Sequence, residues 1–319
     1  MARLIALICA LAALAVGLGA RATTVRVGKD GAYASVQAAV DALPAQGGTL
    51  ELAPGEYREK LEIAKPNVRL VGKGKRPQDV VLVWSDGAIT AGGTFKSASV
   101  NVSGDGFQAR NLTIQNDYHL KDARPSQAVA LAITADRAVL ERVRLLGAQD
   151  TLYAASKKGA PSRQYFRDCY VEGHVDFIFG DAKAFFDRCH IHGIAHETVM
   201  ITAQSKSRPD QDSAYVFDRC RITADPTVGV LYFGRAWRPY ATVVFLRTQI
   251  DAALHPEGWR EWTPGKTDTL STATYAEFAS TGQGASPRTR ERRSRQLTAD
   301  EAKAWSRDTF LAGADGWRP

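Results

Sequence analysis

Several familiar signatures are missing from this 319-residue chain. No G-x-S-x-G occurs, and the six histidines sit near no promising serine, so a Ser-His-Asp hydrolase finds no support. Neither C-x-x-C nor a His/Cys spacing suited to a metal ion is present, so no metal site or cofactor is expected. No Pro/Gly/Ser-rich linker divides the chain, which therefore reads as one domain. The arginines form no block until Arg288–Arg295, so nucleic acid is not the expected partner despite a formal charge of +7. That segment reads as solvated. A moderate positive field equally suits an acidic polysaccharide.

Long apolar runs are also scarce. The one at Leu4–Leu18 is short for a membrane span and lacks a stop-transfer pattern. Arg3 precedes it, and Ala20-Arg21-Ala22 follows as an A-x-A cleavage site, so residues 1–22 read as an export signal. Cys9 lies inside the apolar run rather than after it, which argues against a lipid anchor. Residues 23–319 then form the mature domain, secreted or periplasmic, with no membrane attachment after processing.

What is there is a repeated phrase. Phe166-Arg-Asp-Cys169-Tyr-Val, Phe186-Asp-Arg-Cys189-His-Ile and Phe217-Asp-Arg-Cys220-Arg-Ile share a pattern. Related phrases centre on Leu112, Val143 and Thr248, and the six positions lie 20 to 31 residues apart. Such self-similarity, with β-type alternation and no long helices between, indicates a solenoid. The period is too irregular for leucine-rich repeats. An all-β, right-handed parallel β-helix with short helical caps at both ends fits best; an antiparallel sandwich is the alternative. Ala34–Leu43 has the helical spacing of an N-terminal cap, and Thr298-Ala-Asp-Glu301 is a capping box opening a helix through Trp305.

If the phrases stack, Cys169 and Cys189 lie one rung apart, about 4.8 Å, inside the Cα range of a disulfide. In an oxidising compartment a Cys169–Cys189 bridge is expected, with Cys220 buried and free; Cys189–Cys220 is the rival pairing.

Two acids stand out. Asp176 sits in His174-Val-Asp-Phe-Ile-Phe-Gly180, an apolar run that reads as a buried strand, where a charge is costly unless paired. Asp150 lies 26 residues upstream in Gln149-Asp-Thr-Leu-Tyr153. On successive turns of a stacked structure the two carboxylates would face each other and separate into a charged and a protonated member. Taken alone, each could equally be structural.

Five segments in order carry a family resemblance. Gly55-Glu-Tyr-Arg-Glu59, Gln127-Ala-Val-Ala-Leu131, Gln149-Asp-Thr-Leu-Tyr153, Asp176-Phe-Ile-Phe-Gly180 and Gly234-Arg-Ala-Trp237 resemble the signature segments of pectin methylesterases, here of an exported, bacterial type. The likeness continues through Pro256-Glu-Gly-Trp259 and Leu297–Pro319, covering essentially the whole mature chain. Ala236 stands where some members have proline, and the loop Asp117–Ser126 is longer and more charged than the common form. The resemblance implies a parallel β-helix that hydrolyses galacturonate methyl esters in pectin and releases methanol. It implies Asp176 as nucleophile, Asp150 as general acid/base, Gln149 and Gln127 as oxyanion donors, and Arg235 as the group orienting Asp176. It places Thr94, Tyr153, Phe179 and Trp237 at substrate contacts. A monomer is expected.

That assignment is chemically coherent. Arg235 would keep Asp176 ionised, Asp150 beside it would hold a proton, and carboxamides donate to an oxyanion without titrating. Other readings are a polysaccharide lyase or hydrolase on the same solenoid, an esterase or thioesterase for another ester, or a non-catalytic polysaccharide-binding protein.

Overall fold

A computed structural model describes residues 23–157, 160–266 and 268–319. The proposed export signal at 1–22 lies outside the described residues. The chain winds as a parallel β-helix. Eight strands, from Leu61–Ile63 through Leu152–Ala154 and Ile178–Gly180 to Val230–Arg235 and Trp259–Arg260, form one parallel sheet. The remaining walls merge into a second, 17-stranded sheet because Gln108–Asn116 and Ala138–Leu146 each run unbroken around a corner. The first half of Gln108–Asn116 pairs with Val68–Gly72, and its second half with Val80–Trp84.

The repeated phrase is that corner. Asn111, Arg142, Asp168, Arg188, Arg219 and Arg247 all have φ between 47° and 55°, so each turns the chain in the left-handed region immediately before one of the six repeat positions. Strand register stacks those positions: Arg144 pairs with Tyr170, Tyr170 with His190, His190 with Arg221 and Arg221 with Gln249. Three residues earlier in each phrase, Phe166, Phe186, Phe217 and Phe245 point inward as a stacked column. Successive ring centroids are 4.6, 4.5 and 4.6 Å apart. Identical positions on identical turns thus bury identical side chains, and burial of this column with the aliphatic residues around it drives the fold.

The stacked cysteines are not bridged. Cys169, Cys189 and Cys220 are buried free thiols. Cys189 donates to the Phe166 carbonyl at 3.4 Å and Cys220 to that of Phe186 at 3.4 Å, each reaching back to the preceding turn. In place of the expected Cys169–Cys189 bridge, the structure holds three free thiols.

The ends also differ from one another. Helix Val36–Ala42 covers the first turn and buries Val36, Ala39 and Val40. Glu59 accepts from the Ser35 hydroxyl and from the Val36 and Gln37 backbone N–H groups at its N-terminus (2.7, 2.7 and 2.9 Å), where the helix dipole favours a carboxylate. At the other end the expected capping box forms between Thr298 and Glu301, but the helix is short, Ala299–Lys303, and does not cover the end. A second short helix, Arg307–Phe310, follows, and Ala302, Phe310 and Leu311 pack on Tyr165, Phe185, Val216 and Val244, along the outer flank. The last turn is closed instead by Arg290, from the segment expected to be solvated. Arg290 and Glu277 pair at 2.6 Å with both side chains 2% exposed, and the guanidinium lies over Phe233.

Candidate active site

The eight-stranded sheet carries a cleft of about 330 Å³ on its outer face. Its chemistry comes from chain segments that enter neighbouring strands. Leu152 pairs with Ile178, so Asp150 and Asp176, each two residues earlier, occupy the same position on adjacent turns. Both have positive φ, 65° and 52°, a conformation that aspartate tolerates better than most residues and that turns each carboxylate out of the wall. The Asp150 N–H donates to the Val175 carbonyl at 3.1 Å, tying the two turns together. One turn earlier, the Ala128 N–H donates to the Gln149 carbonyl at 3.0 Å, which brings Gln127 and Gln149 side by side. Both glutamines are half-buried and line the cleft.

Arg235 ends strand Val230–Arg235. It follows Gly234, where a Cβ would meet the Thr202 carbonyl oxygen at 2.2 Å, so only glycine lets this strand approach closely enough. From there Arg235 donates through Nε to Asp176 Oδ1 (3.0 Å) and through Nη2 to Oδ2 (2.7 Å). This is a two-bond clamp on a carboxylate only 7% exposed. Asp150, also buried, has no such partner among the described residues.

The electrostatics follow from that asymmetry. Burial pushes the Asp150 carboxyl well above the ordinary carboxylate range, and the negative charge of Asp176 pushes it further; Arg235 opposes weakly. Burial also raises Asp176, with the Arg235 clamp working against it. Desolvation outweighs the clamp, so Asp176 lies above its ordinary value even with Arg235 on it. The order of ionisation is unchanged, since Asp176 is raised less. Between the two steps the pair carries one charge, on Asp176, and one proton, on Asp150.

Around this dyad runs an aromatic floor. Phe95, Tyr153 and Phe179 follow one another with centroids 4.9 Å apart, Trp237 lies 6.0 Å from Phe179, and Trp262 lies 6.4 Å from Trp237. Thr94 borders the cleft at the Phe95 end. All the residues named from the sequence thus gather on this face: Gln127, Gln149, Asp150, Asp176, Arg235, Thr94, Phe179 and Trp237 line the cleft, and Tyr153 lies in its floor. Sequence reasoning missed Phe95, Ala203 and Trp262, which also line it. Phe95 had a signal in its neighbour Thr94; Trp262 stands in a stretch outside the repeats.

Comparison with known proteins agrees with this architecture. The pectinesterase family profile matches residues 23–314. Pectinesterase 31 of Arabidopsis thaliana is 37% identical over 303 residues, covering 90% of this chain and 92% of that protein. Some plant relatives are longer: of the probable pectinesterase/pectinesterase inhibitor 17 of Arabidopsis thaliana, 39% identical over 307 residues, the chain spans 58%. Among solved structures, pectin methylesterase from carrot superposes with a TM-score of 0.83 at 31% identity, covering 91% of this chain and 93% of that one. A pectin methylesterase solved in complex with a hexasaccharide gives 0.79 at 26% identity, covering 92% and 98%. The similarity spans plant, fungal and bacterial proteins rather than singling out a bacterial type. With profile, full-length relatives and fold in agreement, the chain belongs to the pectinesterase family of carboxylic ester hydrolases.

Proposed function

We propose that this chain removes methyl esters from galacturonate units of pectin by a double displacement in which Asp176 is the nucleophile. The observation that carries this reading is the asymmetric dyad: two buried carboxylates on adjacent turns, only one clamped by arginine. An oxygen of ionised Asp176 attacks the C6 carbonyl carbon. The developing oxyanion is met by N–H donors from the Gln127 and Gln149 carboxamides. Collapse breaks the bond to the methoxy oxygen, which takes the proton of Asp150 and leaves as methanol. Asp150, now a carboxylate, deprotonates a water that attacks C6 of the mixed anhydride. That step releases the galacturonate carboxylic acid and frees Asp176, with Asp150 reprotonated.

Thr94, Tyr153, Phe179 and Trp237 are the proposed substrate contacts, because flat amphipathic rings in a row suit the apolar faces of successive sugars. Residues 1–22 are the proposed export leader and 23–319 the single catalytic domain, secreted or periplasmic. No helix of the described residues is long and apolar enough to cross a membrane. N-terminal sequencing of the exported protein, expected to begin at residue 23, tests the leader.

The function is tested by incubating the chain with highly methylated pectin and measuring methanol and chain length together. Methanol without shortening is the expected outcome. Shortened chains without methanol would mean a lyase or glycosidase on the same solenoid.

A further inference from the structure

Trp262 has no place in the repeats and no equivalent partner in the wall, yet it is held with care. Its ring lies against Arg235, with the guanidinium carbon 4.2 Å from the ring centroid. The same guanidinium is committed through Nε and Nη2 to Asp176. Arg235 is therefore enclosed between a carboxylate and an aromatic face. The ring in turn packs on Trp237 with its plane 29° from parallel.

The adjacent residue shows how Trp262 is fixed. Glu261 is buried, and it is absent from every ion pair among the described residues. Its two carboxylate oxygens accept from the backbone N–H groups of Thr269 (2.9 Å) and Leu270 (2.8 Å), and from the Thr269 hydroxyl. Leu270 belongs to the main core. The carboxylate thus staples the base of Trp262 to the body of the solenoid. Buried carboxyl oxygens are costly unless hydrogen-bonded, and these three donors meet that need at a fixed place.

We propose that Trp262 is a positioning residue for the reaction: its face fixes the Arg235 guanidinium on Asp176, and Glu261 fixes Trp262. This rests on the reading of Asp176 as nucleophile and Arg235 as its clamp. A long arginine side chain held at one edge keeps freedom to swing, and water on its open face weakens its pull on the carboxylate. An aromatic face over a guanidinium removes both defects and adds its own attraction. The consequence falls on the ionisation and aim of Asp176, so it must appear in kcat and in the acid limb of the pH profile. A ring acting only as a sugar platform would appear in KM.

The test uses the full exported chain, highly methylated pectin and methanol release across pH, with Trp262→Leu, Trp262→Phe and Glu261→Gln. Trp262→Leu keeps an apolar side chain and loses the face; kcat is expected to fall about tenfold, with KM changed less than about threefold and the acid limb displaced upward. Trp262→Phe keeps a face and is expected to retain kcat within about threefold and the wild-type limb. Glu261→Gln is expected to follow Trp262→Leu in direction. A rise in KM for Trp262→Leu, with kcat and limb unchanged, overturns the proposal. Thermal melting accompanies each variant; should Trp262→Leu melt early, Glu261→Gln decides by the same split between kcat and KM. Failure of the underlying reading looks different: no methanol from the wild type, or a wild-type rate and limb in Arg235→Ala.

Discussion

Asp150 and Asp176 have the same side chain, the same backbone conformation and equivalent places on adjacent turns, so the different roles proposed for them must come from their surroundings. Arg235 supplies the difference. It lowers the cost of charge on Asp176 and leaves Asp150 to carry the repulsion. Activity should therefore rise with pH as Asp176 loses its proton, and fall as Asp150 loses its own. Because burial raises both groups, both limbs lie above the ordinary carboxylate value. Arg235→Ala removes the only influence lowering Asp176, so the acid limb moves up, and transition-state stabilisation drops by about 2–5 kcal/mol, the scale for truncating one partner of a buried charge pair. Rates against pH on highly methylated pectin at fixed salt check both; unchanged limbs would reduce Arg235 to an ordinary wall residue. Asp176→Asn should abolish methanol release while leaving the melting transition and pectin binding nearly intact; activity within tenfold of wild type, with deamidation excluded, would remove Asp176 as nucleophile.

The same burial has a cost in stability. A carboxyl whose folded pKa is raised is ionised in the unfolded chain while the folded chain still holds its proton. Above the unfolded value, about 3.9, such a group therefore subtracts from stability, and the deficit grows with pH until the folded group also ionises. Asp150→Asn takes away this term. It should abolish turnover and yet raise the melting temperature near neutral pH, a gain of about 1 kcal/mol or roughly 2–4 °C. A scan at two pH values checks the sign: the gain should shrink toward pH 4. A loss of stability at both would mean that the Asp150 carboxyl is needed structurally.

At the scale of elements, what could be read from the sequence was what the solenoid repeats. The phrase Phe-x-x-Cys fixes an inward ring, a left-handed corner and a stacked position on each turn, so register, core column and the coincidence of Asp150 with Asp176 all follow from it. The state of the stacked thiols was not legible in the same way. Spacing places Cys169 beside Cys189 but does not set their redox state, and the structure holds both as free buried thiols. Mass analysis of alkylated, unreduced protein should find three modified cysteines in the mature chain once it is unfolded; a bridged peptide would restore the expected disulfide. Single, unrepeated elements were misread for a related reason. Arg290 lies among other arginines and looks solvated, yet it closes the last turn on Glu277. Trp262 belongs to no phrase. Arg290→Ala leaves Glu277 buried without its partner, and should destabilise by about 3–5 kcal/mol, the cost of breaking a buried pair. Urea unfolding measures it.

For the whole molecule the important contact is the return of the C-terminus along the flank. The capping box marks where helix Ala299–Lys303 begins but says nothing of which surface it lies on, and the tail proves to be a strap rather than an end cap. It covers the outward apolar residues Tyr165, Phe185, Val216 and Val244, which would otherwise form an exposed stripe across four turns. Its far end is tied by Asp315, which accepts two hydrogen bonds from Arg163 at 2.8 and 2.7 Å. Arg163 also holds Asp136, and its guanidinium lies 5.3 Å from the Trp317 ring. The hydrogen bonds from Arg163 hold the Asp315 carboxyl far below its ordinary value. The sign is that of a depressed acid: the tie is complete above the unfolded value and is lost as pH falls through the folded one. The strap should therefore be shed at a lower pH than that at which the dyad protonates, so acid inactivation comes first and is reversible. Arg163→Ala removes the tie at all pH values; it should increase hydrogen exchange in residues 299–317 and expose the apolar stripe to a hydrophobic dye, while methanol release at neutral pH stays close to wild type. The eight-stranded wall that carries the dyad lies outside this contact, so a large loss of activity in Arg163→Ala would show that the strap supports the cleft as well as the flank.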